Sequence, residues 1–174
     1  MKFETRRARS SAGWHLAQAV MLNGKRVSKG TVLDVEQALA LNAAEIQVFK
    51  LEAGDLHEDD AATLLQAGLF GAGLKTNKAR TGRVNALAAQ AGLVQIDATG
   101  VHRFNAVTEA LTLATLPPLQ KVDQGDLVAT LKVIPFAVSL ASVEAAQVSK
   151  PLLRLLPFQR YGFSLIQTQP ASVK

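Results

Sequence analysis

The chain has 174 residues, of which 48% are hydrophobic and 5% aromatic, and it contains no Cys. This length and apolar content suffice for one good-sized domain, or two small ones, with an aliphatic core. The lack of Cys excludes disulfide bonds, zinc–thiolate sites and cysteine nucleophiles, and it is compatible with a reducing cytoplasm.

The formal charge of +5 favours anionic partners. Nucleic acid is not expected among them, because the basic residues are scattered and no aromatic residues alternate with them to stack on bases. Gly13 and His15 interrupt the apolar run that follows the basic N-terminus, so it does not match a signal peptide. No stretch reaches the length of a membrane-spanning helix. We therefore expect a cytoplasmic protein that does not contact a membrane.

The first part of the chain predicts strands and one short helix. Residues 1–12 are basic and Ser-rich without hydrophobic periodicity, which indicates a loosely attached tail. Residues 15–22 alternate between apolar and polar, and Asn23-Gly24 is a strong hairpin signal. Strict alternation over residues 46–51 predicts another strand.

Between these strands, Asp34 predicts the N-cap of a helix that ends at Asn42. Helical spacing places Val35, Ala38 and Leu39 on one apolar face, together with Asn42. We expect that face to pack inward.

Residues 51–62 mark the change from strands to a long apolar helix. Gly54 is a turn residue, and Glu58, Asp59 and Asp60 place negative charge in the first helical turn, where the unpaired amide groups and the dipole favour it. The favoured interpretation is a solvated helix start. The alternative is a ligand or metal site built on His57 and the carboxylates.

Short strands and helices alternate after this boundary, and residues 81–89 fit either a strand or a helix. Pro135 requires a sheet edge or a bulge within an otherwise long apolar strand. Helices are predicted at residues 61–69, 97–105 and, capped by Ser142, 142–147. Strands are predicted at residues 74–76, 92–96, 111–116 and 152–166, and residues 121–138 predict a turn followed by one long strand.

Few patterns in the chain indicate chemistry. No nucleotide fingerprint or phosphate-binding loop is found. His15, His57 and His102 fall in different predicted elements, so a three-histidine metal site is not expected. The segment from Thr81 to Asn85 is a candidate anion site, because Gly82 lets backbone amides approach a ligand and Arg83 can bind phosphate or carboxylate. The favoured interpretation is an ordinary turn into a strand.

Several fragments, taken in order, resemble the N-terminal region of bacterial and archaeal molybdopterin-binding proteins related to the molybdenum-insertion enzymes of cofactor biosynthesis. The resemblance covers roughly residues 13–140. The opening hairpin separately resembles the small β-clip module of sugar-acid dehydratases. The fragments are Gly13-x-x-Leu16-Ala17, Lys29-Gly30-x-Val32-Leu33, Leu51-Glu52-x-Gly54-Asp55-x-His57-Glu58-Asp59-x-Ala61-Ala62, Gly82-Arg83-Val84-Asn85, Asn105-Ala106-Val107, Ala114-Thr115-Leu116 and Val128-Ala129-Thr130-x-Lys132-Val133-Ile134-Pro135.

One pattern occurs near Gly24 and again near Gly125. It consists of a hydrophobic residue, a tight turn that contains Gly, and a β-branched residue where the chain returns. We therefore expect an α+β fold with two β-rich lobes around a central helix. Residues 13–52 would form a β-clip-like lobe with one helix, and residues 53–174 a helix with a second β-rich lobe, the two packed as one unit.

The resemblance implies binding or handling of molybdopterin, the organic part of the molybdenum cofactor. In that family the pterin is bound by a following α/β domain with Gly-rich and acidic motifs, and no such sequence is present here. The resemblance therefore implies an accessory region without catalytic residues or a metal site. The residues expected to line its cofactor cleft are His57, Glu58, Asp59, Arg83, Asn85, Thr115 and Lys132.

Two alternatives remain open at the level of the sequence. The Ala-, Leu- and Val-rich composition also suits a structural module that forms homodimers or docks one domain on another. An enzyme domain acting on a sugar acid would rest on the hairpin alone, and likeness of fold does not carry function.

Overall fold

The computed structural model describes residues 1–41 and 45–168, which form an α+β fold of short antiparallel sheets and four helices. The helices are α1 (Val35–Ala40), α2 (Glu58–Leu69), α3 (Ala98–Asn105) and α4 (Leu140–Ala146). The strands are β1 (Lys2–Arg7), β2 (His15–Leu16), β3 (Val20–Leu22), β4 (Lys25–Val27), β5 (Glu45–Lys50), β6 (Asp55–His57), β7 (Leu74–Thr76), β8 (Arg83–Ala88), β9 (Gly92–Ile96), β10 (Leu111–Thr115), β11 (Lys121–Val122), β12 (Leu127–Val133), β13 (Ala137–Ser139) and β14 (Leu153–Pro157).

The basic N-terminal residues form a strand, not the loosely attached tail expected from their composition. β1 pairs with β5 along its whole length, and β5 also pairs with β2. The side chains of Lys2 and Arg6 lie over the ring of Trp14, with 5.8 and 4.6 Å from the charged group to the ring centroid. Their charges therefore contribute to packing, because cations are attracted to the face of an indole.

The hairpin predicted at Asn23-Gly24 is confirmed. β3 pairs with β4, and both turn residues have positive φ, 49° and 75°, as a two-residue hairpin turn requires. Residues 15–22 nevertheless form two short strands, β2 and β3, where one was expected.

The predicted helix near residue 35 is present, but its expected inner face is wrong. Asp34 and Gln37 form a reciprocal capping box at its start. Only Ala38 is buried, while Val35 and Leu39 are 65% and 60% exposed. A helix of six residues has little surface to bury, so one small residue against the adjoining 3₁₀ turn suffices. Its predicted end at Asn42 lies outside the described residues.

The second lobe is built on a four-stranded sheet of order β10-β12-β8-β7, with α2 packed across it. The helix residues facing the sheet are buried, and two of them are Ala61 and Ala62, whose small size allows close approach. Asn105, the last residue of α3, covers part of the outer edge of β10: its side-chain amide donates to the Leu113 carbonyl (3.1 Å) and accepts from the Leu113 N–H (2.8 Å).

The turn predicted within residues 121–138 is present, but the single strand expected after it is divided into β12 and β13, and β11 precedes the turn. A turn at Gly125 separates β11 from β12, and the chain leaves the sheet after Val133, before Pro135, which cannot donate to a ladder. β13 then pairs with β6, while β11, β9 and β14 form another sheet. The cap of α4 is Ser139, not Ser142, whose own N–H donates to Ser139 Oγ. The last predicted strand region, residues 152–166, forms a strand only as far as Pro157.

Two separate hydrophobic clusters underlie the lobes. The cluster in the N-terminal lobe includes Trp14, Leu16 and Val48, and the larger one includes buried residues from Ala61 to Leu155. α2 contributes its buried apolar residues to the larger cluster. No helix in the described part of the chain is long and apolar enough to cross a membrane.

Glu4 supplies a test of the ion pairs along β1. Its carboxylate lies 2.8 Å from Lys2 Nζ and 2.8 Å from Arg6 Nη1. Both hydrogen bonds lower the pKa of Glu4 below its usual value, and the one with Lys2 has the larger effect. A group whose pKa is lower in the folded state stabilises the fold above its unfolded pKa and loses that contribution as pH falls through the folded value.

We expect acidification below about pH 4.3, the usual Glu pKa, to reduce the unfolding free energy of the wild type more than that of Glu4→Gln. Urea denaturation across the acid range, with an NMR titration of the Glu4 carboxyl, measures this. Identical pH dependence in the two proteins would contradict it.

Candidate functional site

The helix start predicted at residues 57–60 is confirmed, and His57 is its N-cap. His57 Nδ1 accepts a hydrogen bond from the Asp59 N–H (3.3 Å), so this nitrogen carries no proton and Nε2 carries the ring hydrogen. The Glu58 N–H donates to the Phe136 carbonyl (3.0 Å) in the bend between β12 and β13. The first turn of α2 is therefore held against the second lobe.

Glu58 is not the solvated residue that its place in an acidic run suggests. It is 2% exposed, and its carboxylate lies between two lysines from distant parts of the chain. Lys29 Nζ is 3.2 Å from Oε1, and Lys132 Nζ is 3.6 Å from Oε2. Oε2 accepts no hydrogen bond from the described residues. Burying an ionised carboxylate this deeply costs free energy unless cations lie beside it. The two lysines therefore allow Glu58 to be buried.

A tight turn at Thr81 and Gly82 closes the site from another side. Both residues have positive φ, 48° and 69°. The Gly82 N–H donates to Asp59 Oδ1 (2.6 Å), and Lys132 Nζ donates to the Thr81 carbonyl. A Cβ on Gly82 would lie 2.6 Å from the Val133 carbonyl oxygen and 2.9 Å from Glu58 Oε2. Only glycine fits here. We call Lys29, Glu58, Asp59, Thr81, Gly82 and Lys132 the Glu58 cluster.

A stack of aromatic and imidazole rings lies beside this cluster and joins the lobes. Phe49 of β5 is fully buried and stacks on Phe136, with 4.6 Å between ring centroids, and on His15, with 4.8 Å. The rings of His15 and His57 are 6.3 Å apart, so the fold brings together two histidines that the sequence places in different elements. Lys29 Nζ lies 4.2 Å from the centroid of the Phe136 ring while it contacts Glu58.

Arg83, Asn85 and Lys132 share the face of the four-stranded sheet that points away from α2. Arg83 is paired with Lys132, and Asn85 with Thr130, whose hydroxyl donates to Asn85 Oδ1 (2.9 Å). Arg83 is exposed, and the side chains of Lys29 and Lys132 keep 34% and 27% of their surface accessible. The result is a cationic rim above a neutralised carboxylate.

Thr115 does not join this group. It is paired with Ala129, one position beyond the Ala114–Thr130 pair, and successive side chains of a strand point to opposite faces. Its side chain therefore lies on the side of the sheet opposite to Asn85. Six of the seven predicted residues thus lie in or beside the Glu58 cluster.

The cofactor cleft expected from the sequence did not include Lys29, Gly82, His15 or Phe136, although Gly82 was part of the separate candidate anion site from Thr81 to Asn85. Lys29 and Gly82 both stand within the fragments that carry the family resemblance, so that signal was present. His15 and Phe136 carried no comparable signal, because only packing of the lobes brings their rings together.

Asp55, two residues before His57, is a carboxyl group held by the N-terminus of the chain. A hydrogen bond from the N-terminal ammonium, 2.6 Å away, and one from the Glu52 N–H (2.8 Å) lower the pKa of Asp55. No group of three or more His, Asp or Glu residues in the described ranges is arranged to hold a metal ion.

Two surface cavities lie elsewhere, between α3, α4 and the start of β14. Their volumes are about 250 and 480 Å³, and they share Asp97, Lys150 and Leu152 in their walls. We call the two together the α3–β14 groove. None of the seven predicted site residues lines it. No protein-family model, curated protein or solved structure matches the chain.

Gly82→Ala tests the close approach at the turn. We expect it to lower the unfolding free energy more than Gly24→Ala does, because both positions have positive φ but only Gly82 has atoms within 4 Å of the added Cβ. Strain at positive φ costs about 1–2 kcal/mol at either site, and overpacking adds about 1–3 kcal/mol at Gly82. Urea denaturation of both variants gives the difference, and equal losses would contradict the packing argument.

Lys29→Met tests whether the ion pair joins the lobes. Methionine removes the ammonium that lies over the Phe136 ring and leaves Glu58 with one cation, so we expect a loss of about 1–3 kcal/mol, reduced by solvent screening because the Lys29 side chain is 34% exposed. In Lys29→Met/Glu58→Met the loss should fall short of the sum of the two single losses. Lys25→Met, on the exposed hairpin, is the matched control. Additive losses would show that the two residues do not interact.

Proposed function

We propose that this chain is an accessory, non-catalytic domain that binds or handles molybdopterin together with a following pterin-binding domain. One observation carries the proposal: four fragments of the resemblance, far apart in sequence, supply side chains or backbone groups of the Glu58 cluster or lie next to it in strand register. They are the segments around Lys29, around His57 to Asp59, around Gly82 to Asn85, and around Lys132.

The charges around the cluster suit the anionic phosphate of that cofactor and not its pterin ring. The two lysines balance the carboxylates of Glu58 and Asp59, so the exposed Arg83 beside them supplies the net positive charge. Arginine and lysine bind phosphate through charge-assisted hydrogen bonds. Glu58, by contrast, is too deeply buried to accept hydrogen bonds from a pterin ring.

This division of roles explains why the domain would be accessory. Residues of the cluster would hold and orient the phosphate, and the ring would be bound by the following domain that the resemblance implies. The Phe136 ring and the Glu58 carboxylate hold Lys29 in place before any ligand arrives, which lowers the ordering cost of binding. The proposal includes a cytoplasmic location, with which a chain lacking Cys is compatible.

An NMR titration of the chain with molybdopterin tests the proposal. We expect shifts of the Gly82 and Lys132 amide signals that saturate, and a Kd raised about tenfold or more by Arg83→Ala, because a charge-assisted hydrogen bond contributes about 1.5–3 kcal/mol. Raising the salt concentration should weaken binding.

Lys121→Ala is the control, since Lys121 is an exposed lysine on β11, in a different sheet. It should leave the Kd unchanged. Shifts confined to other regions, or an Arg83→Ala variant that binds as tightly as the wild type, would refute the phosphate site.

A further inference from the structure

The turn between β7 and β8 is held in place by groups from two other elements. Its central residues are Thr81 and Gly82. The Gly82 N–H donates to Asp59 Oδ1 on α2 (2.6 Å), and the Thr81 carbonyl accepts a hydrogen bond from Lys132 Nζ on β12. The Val133 N–H, also on β12, donates to the Gly82 carbonyl (2.8 Å). These three bonds fix the backbone of the turn and of the residues on either side of it.

Two arginines flank this turn and lie directly opposite each other. The Arg80 N–H donates to the Arg83 carbonyl (3.1 Å), and the Arg83 N–H donates to the Arg80 carbonyl (3.1 Å). Residues that exchange both hydrogen bonds in this way form an antiparallel pair, and their side chains start from the same face with Cβ atoms about 5 Å apart. Both arginines are exposed. The tip of the hairpin therefore presents two guanidinium groups side by side.

The charges of the two arginines are not offset by the protein. Like charges directly opposite each other destabilise a pair of strands. No Asp or Glu occurs at residues 61–96, and neither guanidinium forms an ion pair within the described part of the chain. The nearby carboxylates of Glu58 and Asp59 are balanced by Lys29 and Lys132. The hairpin tip thus carries two positive charges without a counterion.

The hairpin of β3 and β4 shows that the turn itself does not require two arginines. Asn23 and Gly24 have φ of 49° and 75°, close to the 48° and 69° of the turn between β7 and β8. The residues that flank Asn23 and Gly24 are Leu22 and Lys25, which carry a single positive charge between them. The opposed arginines are therefore a separate feature of the second hairpin, and an anionic ligand would relieve their repulsion.

We propose that Arg80 and Arg83 together bind one phosphate monoester, so that Arg80 is a second phosphate-binding residue and the site selects monoesters over diesters. A guanidinium can donate two parallel hydrogen bonds to phosphate oxygens, and two long side chains that start from one face can converge on one phosphate. A monoester carries close to two negative charges at neutral pH, which match the two guanidinium groups, whereas a diester carries one. This inference rests on the proposed function for the position of the phosphate.

NMR titrations of the full chain with methyl phosphate and with dimethyl phosphate test this pair of arginines. At a pH well above about 6, the second pKa of a phosphate monoester, methyl phosphate is a dianion and dimethyl phosphate a monoanion. We expect methyl phosphate to shift the amide signals of Arg80 and Arg83 and to bind about tenfold or more tightly than dimethyl phosphate. Arg80→Ala should weaken binding of methyl phosphate about tenfold or more and remove most of this preference. Arg80→Lys keeps the charge but not the paired donors, so its Kd should fall between the two.

Lys25→Ala is the matched control, because it removes a cation beside a turn of the same geometry, and it should leave both Kd values unchanged. Equal affinity of the wild type for the two esters overturns the inference, as does an Arg80→Ala variant that binds methyl phosphate as tightly as the wild type. In either case the phosphate site at Arg83 stands if Arg83→Ala still weakens binding of molybdopterin. If neither ester binds at the hairpin, the inference also fails, and the titration with molybdopterin decides the proposed function separately.

Discussion

A single buried carboxylate constrains how the two lobes meet. Glu58 sits in the first turn of α2 at 2% exposure, and an ionised carboxylate at that depth requires cations close by. One of them, Lys29, comes from the N-terminal lobe and the other, Lys132, from the central strand β12. Neither lobe alone supplies both cations. The placement of the two lobes relative to each other and the charge balance of the site therefore depend on each other.

The rest of the junction follows from this ion cluster. The Thr81–Gly82 turn must approach the carboxylate closely, which only glycine permits, and Asp59 holds the turn through the Gly82 amide. The rings of Phe136, Phe49 and His15 stack on one side of the cluster, while Arg83 is exposed and the lysine side chains are partly accessible.

Patterns of a few adjacent residues predicted most helices and strands, but for several of these elements they gave the wrong burial or missed the partner. The hairpin at Asn23-Gly24 and the capped starts of α1 and α2 depend on a few adjacent residues, so their sequence signals sufficed. Val35 and Leu39 have helical spacing but no surface to bury against. Residues 2–7 lack apolar periodicity and still form β1, because β5 and Trp14 offer hydrogen bonds and a ring face that composition does not reveal.

By itself the sequence determined the α+β character, most helix and strand positions, and the set of motif residues that supplies most of the site. These depend on capping, turn chemistry and alternation, which act over a few residues. Only the tertiary structure decided that Glu58 is buried, that Lys29 and Gly82 belong beside it, and that Thr115 does not. Those outcomes depend on strand register and on contact between lobes, where residues distant in sequence meet, and no local pattern encodes such distances.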